Sequence, residues 1–193
     1  MASYLKGLTP GDVPQTRFDT EVTRQQAINR RLMAATGDQN PYALHRELGE
    51  LMTAKVGVIR DNRELDAADA QLEDLLSRFD RISLGESSPW ANQTLAYARQ
   101  VQDMAQLARV IARSARSRDE CRGAHHKPEF ALPLPAGKHP GDPEYAAFTQ
   151  RWKANNEQWL KTTVAWHTAQ GPAIRYEAVD TSVLPPEQPR DYR

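Results

Sequence analysis

Cys121, His125 and His126 stand within six residues of one another, and His139 follows in the same segment. Thiolates and imidazoles bind metals and do nucleophilic chemistry, so both possibilities have to be weighed. Cys121 and His125 are four positions apart, a spacing that on a helix lets two side chains share an ion. Gly123 lies between them and interrupts such a helix, and no second cysteine or acidic ligand stands at a convincing spacing. Ordinary loop histidines and no metal are the expectation. The same two residues could form a nucleophilic pair, because a neighbouring imidazole lowers a thiol's pKa. No third residue that would orient the imidazole is identifiable, which favours a structural cysteine. The many carboxylates, among them Glu64, Asp66, Asp69 and Glu73, fall on polar helix faces, often with Arg or Lys four residues on. Solvated faces explain them better than acid–base catalysis. Neither GxGxxG nor GxxxxGK[ST] occurs, so no pyrophosphate-binding turn is expected and no cofactor is assigned to this chain.

The elements that must position these residues are helical. Apolar residues Phe18, Val22, Ile28, Leu32 and Met33 recur from about residue 16 to residue 36, and Gly37 supplies a stop. Asn40-Pro41 is a strong helix start, followed by a stripe of Tyr42, Leu44, Leu48, Leu51 and Met52. Asp61 or Asn62 caps a third helix, whose Leu65, Ala68, Leu72, Leu75, Leu76 and Phe79 repeat at three- and four-residue intervals until Gly85 closes it. A fourth and longest helix is predicted from about Pro89 to Arg118, with Thr94, Tyr97, Val101, Met104, Ala108, Ile111 and Ala115 inside. Periodicity then stops in a stretch rich in proline and glycine, from Gly123 to Pro143.

Asp142-Pro143 repeats the cap-plus-proline start. Beyond it Trp152, Trp159 and Trp166 are seven residues apart, so a continuing helix places the three indoles on one face. Each indole offers roughly 150 to 250 Å² for burial. Two readings remain open for that face, core packing against the bundle or docking onto another domain or subunit. The tail from Pro172 alternates weakly through Ile174, Tyr176 and Ala178 and predicts one short strand before a proline-rich end.

The expected fold is therefore mainly α: an antiparallel bundle of three to four helices, a long Pro/Gly-rich loop, a further aromatic-faced helix and a short extended tail. The organisation reads as a lead-in and first helix over 1–40, a helical bundle over 41–127, and the loop, aromatic helix and tail over 128–193. Lys plus Arg and Asp plus Glu both number 25, for zero formal net charge in 193 residues, with no single-sign block. That argues against nucleic-acid binding and a polybasic membrane anchor. No apolar run approaches the roughly 20 residues that span a bilayer, and MASYLKGLTPGD lacks the apolar core of a signal peptide. A cytoplasmic protein is the expectation. Hydrophobic residues make up 39%, a low share that hints at stabilisation by a partner.

One segment carries a family resemblance. RVIARSARSRDECRGAHHKPEF, from Arg109 to Phe130, resembles the E-S-R-G-A-H segment that closes the long helix in succinate dehydrogenase and fumarate reductase flavoproteins, with Cys121 in place of the usual serine. RELGELMTAKVGVIRDN at 46–62 is similar to that family's stretch before the second bundle helix, and NQTLAYARQVQDMAQLARVIA at 92–112 resembles its long helix. Glu157, Trp159, Leu160, Lys161 and Thr162 match its EN-W/F-LKHT segment, and RYEAVDTSVLPPEQPRDY resembles a Bacillus-type ending. L-aspartate oxidase carries related motifs, but the RDY tail favours the succinate dehydrogenase side. Two departures stand out: the stretch from Ala131 to Gln158 is longer than usual, and Met1 falls where the family's FAD domain would just have ended.

The resemblance implies a C-terminal structural and assembly domain of an enzyme that oxidises succinate to fumarate through FAD and passes electrons to an iron–sulfur subunit and quinone. The FAD, its covalent attachment histidine and the substrate-binding side chains belong upstream. The implied partners are the FAD-binding domain of the same flavoprotein and the iron–sulfur subunit, with the assembly peripheral to the inner face of a membrane. A free-standing helical interaction module is the alternative. The turn of Glu120, Arg122, Gly123, Ala124 and His125 is the part that, by resemblance, packs the helical domain against the flavin domain. Arg118 and Arg122 also suit a helix end, where carbonyls are free. Candidate docking residues are thus Glu120, Arg122, Gly123 and His125 together with Trp152, Trp159 and Trp166.

Overall fold

A computed structural model describes residues 14–183 and residue 186; the irregular lead-in expected before residue 14 and the proline-rich end lie outside the described residues. Among the described residues five α-helices are followed by one hairpin: α1 (Gln15–Ala34), α2 (Pro41–Lys55), α3 (Asn62–Phe79), α4 (Gln93–Ser117), α5 (Pro143–Trp159), β1 (Lys161–Thr168) and β2 (Gly171–Ala178), with a 3-10 turn at Pro128–Phe130. The fold is mainly helical, as the periodicity predicts.

The caps are made by the residues whose chemistry suits them. Asn40 accepts hydrogen bonds from the Tyr42 and Ala43 amides, with Pro41 at the first helical position. Of the two candidates for α3, Asp61 is the cap, accepting from the amides of Arg63 at 2.9 Å and Glu64 at 3.1 Å. Leu44, Leu48 and Leu51 of α2 meet Leu65, Ala68, Leu72, Leu75 and Phe79 of α3 in one core, which Leu32 of α1 joins. Only the end of α1 reaches that core, so Phe18 and Val22, expected inside, are exposed.

The long helix buries part of the expected stripe, Val101, Ala108 and Ala115, but sets it among further alanines rather than Met104 and Ile111. Ala98, Val101, Ala105, Ala108, Ala112 and Ala115 face the core, alternating steps of three and four, while Met104 and Ile111 are exposed. Small side chains let α3 and α4 approach closely, so the close-packed face is the alanine face rather than the one with the largest apolar residues. The helix starts later than Pro89, at a cap made by Asn92 on the Leu95 amide. Asp69, expected to be solvated, is a half-buried clasp between helices: Arg109 and Arg113 of α4 each donate through Nε to one of its oxygens, at 2.7 and 2.8 Å.

Gly85 does not end α3, which stops at Phe79 and gives way to an extended run carrying the buried Ile82 and Leu84. That run pairs with residues 36–39 through Gly37 N–H to Ile82 O, Gln39 N–H to Arg81 O and Ser83 N–H to Gln39 O. Gly37 is needed for this approach and not as a helix stop: a Cβ there would sit 1.7 Å from the Arg81 carbonyl oxygen. Gly37→Ala is therefore expected to force the two segments apart and cost about 2 kcal/mol. Urea unfolding checks it; an unchanged midpoint would show that the pairing adds nothing to stability.

The C-terminal part departs most from expectation. The aromatic helix ends at Trp159, and Trp166 lies on β1, so the three tryptophans share no helix face. Thr162, Thr163 and Val164 explain the switch, because β-branched side chains favour extended backbone over a helical turn. The predicted tail strand is β2, and its partner β1 runs antiparallel to it from Lys161↔Ala178 to Thr168↔Gly171. Asp142 makes no cap bond to α5; its Oδ2 accepts from the His139 amide.

Candidate functional site

At the end of α4 the chain becomes extended, and Arg118, Glu120 and Arg122 alternate, which puts three charged side chains on one side of the backbone. Glu120 is completely buried. A carboxylate out of water needs partners, and it has three: Arg118, Arg122 through Nε and Nη2 at 2.9–3.2 Å, and Asn155 of α5 at 3.3 Å. Arg118 reaches onward from Glu120, donating to the Trp159 carbonyl, to the Lys161 carbonyl at 2.8 Å and to Thr163 Oγ1 at 2.9 Å. Its guanidinium also lies 5.8 Å from the Trp159 ring centroid and 5.9 Å from that of Tyr176. The Tyr176 hydroxyl donates to the Ser117 carbonyl at 2.7 Å. One buried carboxylate thereby ties the end of α4 to α5 and to both strands.

Arg122 also donates to Asn156 Oδ1 at 2.8 Å. It then opens a two-residue reversal closed by Arg122 N–H to His125 O at 2.8 Å and His125 N–H to Arg122 O at 3.0 Å. Gly123 takes the first central position with φ 57°, a left-handed conformation that favours glycine. His125 lies between the Arg60 guanidinium, 2.7 Å from Nδ1, and the Arg118 carbonyl, 2.9 Å from Nε2. Burial, with the Arg60 and Lys127 charges, pushes its pKa below the ordinary 6.5, although the Arg118 carbonyl and Glu120 oppose this.

Lys127 is 1% exposed. Its ammonium donates to Asp119 at 2.9 Å and to the Arg116 carbonyl at 3.1 Å, and burial lowers its pKa despite the Asp119 charge. Burial alone would raise the Asp119 carboxyl, but hydrogen bonds from Asn62 and Lys127 outweigh it and hold the group low. The Cys121 thiol donates to the Lys127 carbonyl at 3.1 Å and is pushed up by burial. Cys121 and His125 thus spend their polar atoms on different partners, and a thiol with a raised pKa is a poor nucleophile. Among the described residues no three His, Cys, Asp or Glu side chains gather as metal ligands.

The loop seated against the turn exposes two apolar side chains. Ile59 pairs with His126 as an isolated bridge, and Arg60 N–H donates to His126 O at 2.8 Å, which seats the 58–60 loop against the turn. On that loop Val58 is 59% and Ile59 72% exposed; on the turn Gly123 and Ala124 are exposed and the Arg122 side chain is 39% exposed. Of the residues singled out from the sequence, Glu120 acts from inside, while Arg122, Gly123 and His125 form the turn itself. Trp152 and Trp159 are half-buried, Trp159 against Tyr176 at 5.9 Å, and Trp166 is exposed beneath the Arg175 guanidinium, 4.3 Å from its centroid. Arg118, Arg60, Val58 and Ile59 were not among the sequence candidates. The alternation of Arg118, Glu120 and Arg122 was a readable signal for the first; nothing local marks the others.

A family model described as fumarate reductase flavoprotein C-term matches residues 45–192. The chain is 36% identical over 193 residues to the succinate dehydrogenase flavoprotein subunit of Bacillus subtilis, covering 98% of this chain and 29% of that protein. It is 28% identical over 185 residues to a fumarate reductase flavoprotein subunit of Helicobacter pylori, covering 94% of this chain and 23% of that one. A chain of Escherichia coli quinol fumarate reductase superposes with a TM-score of 0.72 at 23% identity, over 92% of this chain and 27% of that chain, a likeness of fold. The chain spans less than a third of the length of each of these proteins. With the long helix, the Glu120 turn and the family match in agreement, the chain belongs to the succinate dehydrogenase and fumarate reductase flavoprotein family, as its helical C-terminal domain.

Proposed function

We propose that this domain works as a docking and stiffening element for a flavin domain, within an enzyme that interconverts succinate and fumarate. The complete enzyme would pass electrons from FAD to an iron–sulfur subunit and on to quinone, peripheral to a membrane. No helix among the described residues is long and apolar enough to cross a membrane. A dinucleotide's pyrophosphate needs a glycine-rich turn between a strand and a helix N-terminus. The sheet among the described residues is one antiparallel hairpin whose β1 follows its helix, and the positive-φ glycines stand at separate turns. These residues do not fit FAD, and no step of the chemistry is assigned to them.

The observation that carries the proposal is the pairing of a rigid interior with an apolar exterior at one turn. Glu120 and its arginines hold the backbone from within, while Val58 and Ile59 stand in water on the loop that is bonded to His125 and His126. Exposed apolar residues grouped on a rigid turn mark a surface that another protein covers. Trp152, Trp159 and Trp166 extend this proposal as secondary contacts.

Val58→Asp combined with Ile59→Asp tests it. Both side chains are already solvated, so folding should be unchanged, whereas binding to the FAD and capping domains of the Bacillus subtilis relative should weaken at least about tenfold, by burying two unpaired charges. Calorimetric titration with that fragment measures it. Equal affinities of the two proteins, or no binding by either, would remove this surface from the proposal.

A further inference from the structure

The Arg122–His125 turn and the 58–60 loop are joined by three interactions: Arg60 N–H to His126 O at 2.8 Å, His126 N–H to Val58 O at 3.2 Å, and the Arg60 guanidinium to His125 Nδ1 at 2.7 Å. The first two are backbone bonds that do not titrate. The third has only one workable protonation state. A guanidinium carries donors and no acceptor, so Nδ1 must be the bare nitrogen that accepts. The ring proton therefore resides on Nε2, where the Arg118 carbonyl accepts it at 2.9 Å. Both ring nitrogens are occupied by a neutral imidazole in a single tautomer.

We infer that His125 is an acid-operated latch, which in its neutral form clamps the 58–60 loop to the turn and on protonation releases it. A proton on Nδ1 would point at the Arg60 guanidinium, replacing an attractive contact with two donors and two like charges face to face.

The surrounding charges offer the imidazolium no refuge. From the loop comes Arg60; from the segment after α4 come Arg118, Asp119, Glu120 and Arg122; from beyond the turn come His126 and Lys127. The carboxylate of Glu120 is already held by Arg118, Arg122 and Asn155, and that of Asp119 by Lys127 and Asn62. Arg60 would leave with its own loop, because its Nε donates to the Gly57 carbonyl at 2.7 Å. Val58 and Ile59 move with it, so acid unseats the exposed apolar pair. The latch is a property of the isolated chain and stands whether or not that pair meets a flavin domain.

The sign follows from linkage. The folded-state pKa is lowered, so the neutral form's contribution is complete above the unfolded value of 6.5 and is lost as pH falls from there towards the folded value. Amide exchange at Arg60 and His126, expressed as protection factors so that the intrinsic pH dependence cancels, should fall by up to about tenfold per pH unit between 6.5 and the folded value and level off below it. His125→Asn keeps an acceptor in the place of Nδ1 but cannot be protonated, and its protection at the same two amides should be flat over that range. Nitrogen NMR of the wild-type ring at neutral pH supplies a second reading that needs no variant, and the Nε2–H tautomer is expected. A Nδ1–H tautomer, or wild-type protection that stays level with acid, or a variant that loses protection as the wild type does, would overturn the latch.

Discussion

Glu120→Gln is expected to lower the stability of this domain by about 3–4 kcal/mol, the largest single effect of any polar substitution in it. The reason is the asymmetry of buried charge. With the carboxylate in place, two guanidinium groups and an amide share a fully buried anion. With an amide there instead, Arg118, only 15% exposed, keeps its charge and loses its counterion, and one glutamine oxygen cannot replace two carboxylate oxygens as acceptors. For a chain of this size the loss corresponds to a fall in Tm of roughly 6–16 °C. Arg122→Met should cost much less, about 1 kcal/mol, because that side chain is partly solvated and Glu120 keeps Arg118 and Asn155. Thermal unfolding of both variants at one pH decides the matter. If Arg122→Met proves the more damaging, Glu120 is not the anchor that the geometry describes.

Asp119→Asn should be the second most damaging change, costing about 3 kcal/mol, and it too is set by what is left behind. Lys127 would remain buried with the Arg116 carbonyl and a neutral amide for company, while its ammonium already has a pKa lowered by burial. Removing the cation instead is gentler. Lys127→Met fills the same space without charge, and Asp119, 37% exposed, can turn to water and keep its bond from Asn62, so about 1 kcal/mol is expected. Urea unfolding of the pair measures the difference, and a reversal of the order would mean that Lys127 has access to solvent the structure does not give it.

Both predictions concern a region whose importance was legible while its workings were not. RDECRGAH stood out as a segment, yet the division between Glu120 within and Val58 and Ile59 without depends on segments far apart in the chain meeting, as Arg60 and His125 do across 65 positions. Helix periodicity located α2 and α3 and their core faces well, because Leu44, Leu48, Leu65, Leu72 and Phe79 are large, apolar and regularly spaced. On α4 it found Val101, Ala108 and Ala115 but placed Met104 and Ile111 inside, where Ala98, Ala105 and Ala112 pack instead. It also carried a helix through Trp166 on the strength of a seven-residue spacing, against the local preference of Thr162, Thr163 and Val164.

The amino-acid sequence by itself determined the helical class, the cap at Asn40, a helix start at Asp61 or Asn62, and the family, because these rest on local chemistry and on motifs read in order along the chain. Tertiary structure alone decided that Glu120 is buried rather than presented, that Arg118 reaches α5 and both strands, and that His125 meets Arg60. Burial and pairing across such separations depend on how helices are placed in space, and no short window of residues encodes that placement.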